Sequence, residues 1–184
     1  MIASRVGILL KMKNRIELAQ YFAKLGFTKG AEIGVCQGQY SKKLLDLIPG
    51  LHLLSIDSWN KYDASGACYE ITKKLLAPYH GSTVIQATSM DAVKIIEDES
   101  LDFVFIDAGH SYVDVRDDIR EWSKKVRKGG IVAGHDYYSP KYHSVTRAVD
   151  EYVQEHNLGL KIVAWDLENP DREERQPSWY FFKE

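Results

Sequence analysis

Two apolar runs in this chain end on the same kind of chemistry. Leu101-Asp-Phe-Val-Phe-Ile106 leads into Asp107-Ala-Gly-His110, and Gly130-Ile-Val-Ala-Gly134 leads into His135-Asp136. Carboxylate oxygens and imidazole nitrogens hold divalent cations, so Asp107, His135 and Asp136 form a candidate metal set. An imidazole has an ordinary pKa of about 6.5, which suits His110 to proton transfer near neutral pH. The residues leave other uses open. His135-Asp136 could merely shape a substrate pocket, His110 could cap a helix starting near Val113, and the whole cluster could serve a metal-dependent hydrolase. All four meet only if the two runs are neighbouring strands of one parallel sheet, since open α/β sheets bind their ligands beyond the carboxyl ends of the strands.

The rest of the chain supplies such a sheet. Residues 15–25 set Leu18, Phe22 and Leu25 on one helical face, and Gly26 stops that helix. A short strand at 31–35 passes through a glycine-containing turn into a helix at 40–48, closed by Pro49-Gly50. A second strand follows at 51–56, then a helix within 62–77 ended by Pro78, a third strand at 83–86 and a short helix at 91–96. Between the two opening runs, Val115, Ile119, Trp122 and Val126 share a helical face. Asp114, Asp117 and Asp118 stand near its start and Lys124, Lys125, Arg127 and Lys128 near its end, matching the helix dipole, with Gly129 as the stop. A last helix at 145–155 and strands at 161–164 and 178–182 enclose a polar loop at 166–177. Strands alternating with helices predict a mostly parallel α/β sheet with helices on both faces.

Length and composition narrow the function. At 184 residues, 45% hydrophobic and 27% charged, the chain suits one soluble domain, with 1–27 as an N-terminal capping helix region and 28–184 as the core. A formal net charge of −2, with basic residues interleaved among acids, gives no field for wrapping nucleic acid, which favours a small-molecule partner. Cys36 and Cys68 form no Cys-x-x-Cys pair, which fits a reducing compartment. The stretch Val6-Gly-Ile-Leu-Leu10 is too short for a membrane span and is followed by Lys11, Lys13 and Arg15, so a cytoplasmic protein with no membrane association is expected. The N-terminal helix offers a surface for pairing two copies as a homodimer.

Glu32-Ile-Gly34-Val-Cys-Gln37-Gly38 places glycines where a strand must turn sharply and let its backbone approach a ligand. The same residues could equally make a tight turn with no ligand. A dinucleotide loop would carry Gly-x-Gly-x-x-Gly, but Cys36 stands at the second glycine, which argues against a nicotinamide enzyme and for a ligand lacking a pyrophosphate. Asp57 ends the second strand, where a carboxylate can accept hydrogen bonds from both hydroxyls of a ribose. Trp59 could stack on an adenine or cover the core, and Ser89 could meet an adenine edge or cap the helix from Asp91.

Taken in order, Glu32 to Gly38, Ser55-Ile-Asp57, Phe105-Ile-Asp107 and Gly129-Gly-Ile-Val-Ala-Gly-His-Asp136 resemble class I S-adenosylmethionine-dependent methyltransferases, and within them the small-molecule O-methyltransferases of the catechol and macrocin types. The resemblance implies a Rossmann-like sheet of seven strands, mostly parallel, with an antiparallel C-terminal strand. It implies that Glu32, Gly34 and Gly38, with Gln37 in the same loop, line the methionine part of S-adenosylmethionine, that Asp57 holds the ribose, and that Ser58, Trp59, Ser89 and Met90 surround the adenine. Asp107 would lie between cofactor and metal, and His110 takes the place of the lysine general base of catechol-type enzymes. Those relatives bind a divalent metal through an Asp after the fourth strand and an Asp-Asp or Asp-Asn pair after the fifth, which implies a divalent metal for this chain, Mg or Mn or another ion. His135-Asp136 replaces one of those oxygens with a nitrogen, which suits zinc, iron, nickel or manganese better than magnesium. A non-catalytic S-adenosylmethionine-binding module is a further alternative, and the acceptor is not legible in the residues.

Overall fold

The computed structural model describes residues 12–60, 65–138, 143–165, 167–168, 170 and 175–184. Its chain order is α1 (Arg15–Lys24), β1 (Lys29–Ile33), α2 (Gln39–Leu47), β2 (His52–Asp57), α3 (Ala67–Leu76), β3 (Ser82–Gln86), α4 (Ser89–Ala92) with a 3-10 turn at Val93–Ile95, β4 (Leu101–Ile106), α5 (Tyr112–Lys125), β5 (Val126–Gly134), α6 (His143–Glu155), β6 (Lys161–Ile162) and β7 (Trp179–Phe182). The strands form one seven-stranded sheet in the order β3-β2-β1-β4-β5-β7-β6. β1 to β5 are parallel, and β7 runs antiparallel between β5 and β6.

The alternation of side chains along β4 explains why both faces are covered. Phe103 and Phe105 project to one side, where Leu18, Phe22, Leu44 and Ile48 of the α1–α2 layer meet them. Val104 and Ile106 project to the other, against Val115, Ile119, Trp122 and Val149 of α5 and α6. Every one of these residues is buried, and each large apolar side chain removed from water contributes roughly 1.5–3 kcal/mol. Gly30 in β1 makes room for the first layer, because a Cβ there would lie 2.2 Å from the Phe103 ring.

Several boundaries differ from the sequence-based expectation. α5 ends at Lys125, and Val126 opens β5 instead of closing the helix, pairing with Leu101. The register then slips before Phe103 meets Ile131, so residues 127–130 form a bulge, with Gly129 at φ +73°. Gly129 is therefore the pivot of a strand irregularity, and the basic residues Arg127 and Lys128 lie in the strand. α4 starts at Ser89 and not at Asp91, and Leu25 is 39% exposed while Leu18 and Phe22 are fully covered. The expected helix within 62–77 is described from Ala67, and the Val6 to Leu10 stretch and residues 166, 169 and 171–174 of the expected polar loop lie outside the described residues. Among the described residues no helix is long and apolar enough to cross a membrane.

Candidate active site

The parallel register brings the carboxyl ends of β1, β2, β3, β4 and β5 to one edge, and backbone bonds fix the chain just beyond each tip. Gly34 N donates to Ile56 O at 2.9 Å, Asp107 N to Ile33 O at 2.7 Å, His135 N to Ile106 O at 3.1 Å and Ala87 N to Asp57 O at 3.0 Å. The residues singled out from sequence therefore sit on a rigid rim. Gly34 has φ +90°, and a Cβ there would fall 2.1 Å from the Asp107 carbonyl oxygen, so only glycine lets the two tips approach. Cys36 and Gly38 are also left-handed, at φ +53° and +83°. Cys36 thus holds a left-handed backbone without the freedom of glycine, at a cost of roughly 1–2 kcal/mol.

Asp57 organises this turn. Its Oδ2 accepts hydrogen bonds from Val35 N and Cys36 N, both at 2.9 Å, while Oδ1 accepts from Trp59 N at 2.9 Å. Trp59 is 4% exposed, donates from Nε1 to Cys36 O at 2.7 Å and packs at a tilt on Tyr69 with ring centroids 4.9 Å apart. In this conformation the indole covers the turn. Ser58 is half-buried, and Gln37 Nε2 donates to the Cys68 sulfur at 3.8 Å.

Glu32, one residue before the end of β1, is 2% exposed. Ser41 Oγ of α2 donates to its Oε2, and Ser55 Oγ donates in turn to Ser41 at 2.9 Å. Burial pushes the Glu32 carboxyl up to about 8, against the opposing pull of Ser41 and of the Arg15 charge.

Beyond β4 and β5, ligand atoms of Asp107, His110 and Asp136 all lie within 4.8 Å of one another. His110 Nε2 is 2.7 Å from Asp136 Oδ2 and 3.8 Å from Asp107 Oδ1. Burial draws the imidazole pKa down, but the Asp107 and Asp136 carboxylates override it and lift it to about 10. Asp136 carries φ +59°, a left-handed conformation that aspartate tolerates better than most residues. His135, 6% exposed, turns Nδ1 toward the cluster at 3.8 Å from Asp107 and 3.7 Å from Asp136. Its Nε2 is buried without a hydrogen-bond partner among the described residues, beside a cavity of about 10 Å³ lined by Asp107, His110, Val115 and Trp179. Sequence reasoning grouped His135 with the two aspartates, whereas the tightest grouping has His110 in that place.

Two features escaped that reasoning. Arg15 of α1 is 6% exposed, lies 4.6 Å over the Tyr40 ring and reaches Asp107 Oδ2 with Nη1 at 3.3 Å. Burial works against charge on Asp107, yet the neighbouring His135 and His110 and the Arg15 charge together hold its pKa low. Arg15 stands three and seven residues before Leu18 and Phe22, so its place on an apolar stripe was a legible signal. Asp118 of α5 is likewise buried, on the face carrying Val115 and Trp122. It accepts a hydrogen bond from Ser89 Oγ, to which Trp122 Nε1 donates at 2.8 Å. The cap readings left open for Ser89 and His110 fall to their neighbours: Thr88 accepts from Asp91 N, and Ser111 caps α5. Met90 is half-buried beside Ser89.

A glycine turn tied to an acid at the second strand tip, facing an acid and histidine cluster at the fourth and fifth, is the arrangement the family comparison decides. Residues 31–137 match the family model described as "Methyltransferase domain". The chain belongs to this methyltransferase family. It is thereby an S-adenosylmethionine-dependent methyltransferase. Among the curated proteins none matches it in sequence. Solved structures share the fold at low identity. Cofactor-bound Rv0187 from MTB superposes with a TM-score of 0.73 at 12% identity, covering 97% of this chain and 82% of that one. The O-methyltransferase from Bacillus cereus in complex with SAH gives 0.69 at 16%, covering 92% and 80%. An rRNA methylase from Streptococcus thermophilus gives 0.66 at 12%, covering 91% and 95%.

Proposed function

We propose that this methyltransferase methylates a hydroxyl group of a small molecule, with a divalent cation assisting at the Asp107–Asp136 cluster. The observation that carries the reading is the meeting, on one sheet edge, of the Asp57-anchored glycine turn with Asp107, His110 and Asp136. The turn accounts for the donor, and the cluster for the acceptor. Bound S-adenosylmethionine supplies an electrophilic methyl group on a sulfonium. In this reading Glu32, Gly34, Gln37 and Gly38 flank its methionine part, Asp57 takes the ribose, and Ser58, Trp59, Ser89 and Met90 border the adenine. The name of the Bacillus cereus neighbour, an O-methyltransferase with SAH bound, agrees with both the cofactor and the hydroxyl acceptor.

The carboxylates of Asp107 and Asp136, with His135 Nδ1 3.8 and 3.7 Å from them, make a donor set that fits a divalent cation. Such an ion would lower the pKa of the acceptor hydroxyl. Asp107, Asp136 and His135 are the residues that would hold it, which leaves His110 free as the base, and the imidazole favours manganese over magnesium. His110 also sits within reach of a hydroxyl at this rim. With its two carboxylates engaged elsewhere it loses the charges that hold it protonated, and it then takes the acceptor proton as the oxygen–carbon bond forms and the carbon–sulfur bond breaks. Holding both reactants in line can supply roughly 7–11 kcal/mol of the barrier.

The test is methyl transfer from labelled S-adenosylmethionine to a panel of hydroxylated metabolites, with RNA as a separate arm and each arm run with and without a chelator. Transfer to a small hydroxyl that falls with chelator supports the reading. Transfer to RNA alone, or transfer indifferent to chelator, would displace the acceptor or the metal part of it.

A further inference from the structure

Asp118 is a buried carboxylate outside the cluster that the proposed chemistry uses. It is 3% exposed on α5, and its hydrogen-bond partner among the described residues is the hydroxyl of Ser89 at the start of α4. Burying a carboxyl group on the apolar face of a helix is costly unless it serves a partner. Here the partner stands just after β3, whose tip residue Gln86 pairs with Asp57 of β2. Ser89 is itself only half-buried, unlike Asp118 and Trp122 behind it.

A serine hydroxyl offers one proton and two lone pairs. Ser89 gives its proton to Asp118 Oδ1 and receives the Trp122 Nε1 proton on one lone pair at 2.8 Å. One lone pair is left, and no proton. We infer that Asp118 is a positioning residue that fixes Ser89 as a pure hydrogen-bond acceptor, so that Ser89 selects the 6-amino group of an adenine over the 6-oxo group of a hypoxanthine. This rests on the proposed placement of the cofactor adenine at Ser89. An amino group donates to that lone pair, while a carbonyl oxygen in the same position faces it lone pair to lone pair. A site that must leave a buried polar group unpaired rejects the wrong ligand far more strongly than one that loses only apolar contact. Burial, helped by the charges of Asp114 and Asp117 and opposed by the Ser89 hydrogen bond, raises the Asp118 pKa to about 7. The acceptor-only state of Ser89 is therefore best populated in mildly alkaline buffer.

The experiment is calorimetric titration of the full chain, at about pH 8.5, with S-adenosylhomocysteine and with its deaminated analogue S-inosylhomocysteine. The natural chain is expected to hold the adenine compound at least about tenfold tighter, the scale of one hydrogen bond gained and one lone-pair clash avoided. Asp118→Leu frees the Ser89 proton to reach a 6-oxo group, and the preference should shrink to below about threefold, chiefly by tighter binding of the analogue. Trp122→Phe disturbs the same packing but leaves the Ser89 proton on Asp118, so the preference should survive. That contrast separates positioning from a merely structural role. Should the leucine variant not fold, Asp118→Ala takes its place, and the ratio measured for the natural chain stands as a test by itself. Equal binding of the two compounds by the natural chain overturns the inference, as does an unchanged ratio in the Asp118 variant or an equal loss in Trp122→Phe. If S-adenosylhomocysteine does not bind at all, the cofactor placement falls with it. Binding with an unaltered ratio defeats the inference alone.

Discussion

Replacing Glu32 by glutamine should make the protein more stable in alkaline solution. The side chain is 2% exposed, and its carboxyl titrates at about 8 instead of the ordinary 4.5. The folded state therefore binds a proton that the unfolded chain has already lost, and stability falls as pH rises from 4.5 through about 8. Below that window both states are protonated and no penalty exists; above it the penalty is complete. At about 1.36 kcal/mol per pKa unit the shift corresponds to about 5 kcal/mol, a ceiling that water entry and local relaxation reduce to a few. Glutamine keeps the volume and still accepts the Ser41 hydroxyl, but carries no charge to desolvate. His110 and Asp118, also raised, destabilise the fold in the same direction with rising pH and remain in both proteins, so they cancel in the difference. Urea unfolding of the two proteins should show equal midpoints within error near pH 4, and a higher midpoint for Glu32→Gln near pH 9, by roughly 2–5 kcal/mol. A variant no more stable than the natural chain near pH 9, or one whose advantage is the same at both pH values, refutes the reasoning.

Other substitutions separate fold from chemistry. Gly34→Ala places a methyl 2.1 Å from the Asp107 carbonyl oxygen at φ +90°, so a loss of at least about 3 kcal/mol is expected, read as a fall in Tm. A Tm within a degree of the natural chain would mean the tips need not touch. Asp57→Ala frees the amides of Val35 and Cys36 and removes the ribose acceptor, and S-adenosylhomocysteine affinity should drop at least about tenfold; equal affinity by calorimetry rejects that role. His110→Ala should lower methyl transfer by about 100-fold or more while cofactor affinity stays within about twofold, and unaltered turnover would remove His110 from the mechanism.

The order of elements and the edge carrying the site could be derived from the chain alone, because apolar runs ending on Asp57, Asp107 and His135-Asp136 alternate with helical stripes. The register of β5 could not. Val126 satisfies a helical stripe and a strand equally well, and it is pairing with Leu101 across the sheet that decides between them. The site shows the same division. Asp107, His110 and Asp136 sit at strand ends, where local pattern predicts convergence, but which histidine completes the trio depends on rotamers and on the left-handed backbone of Asp136. Arg15 and Asp118 were visible as charges on apolar helix faces. Their partners, Asp107 and Ser89, lie 92 and 29 residues away in the chain, and only the packed fold brings them together.

A crystal structure of the protein with S-adenosylhomocysteine bound tests the account most directly. The ribose hydroxyls should lie on Asp57, the amino-acid end beside Glu32 and Gly34, and the adenine next to Ser89, with the sulfur facing Asp107, His110 and Asp136. A ligand bound away from the Asp57 turn, or with its sulfur turned from that cluster, would contradict it.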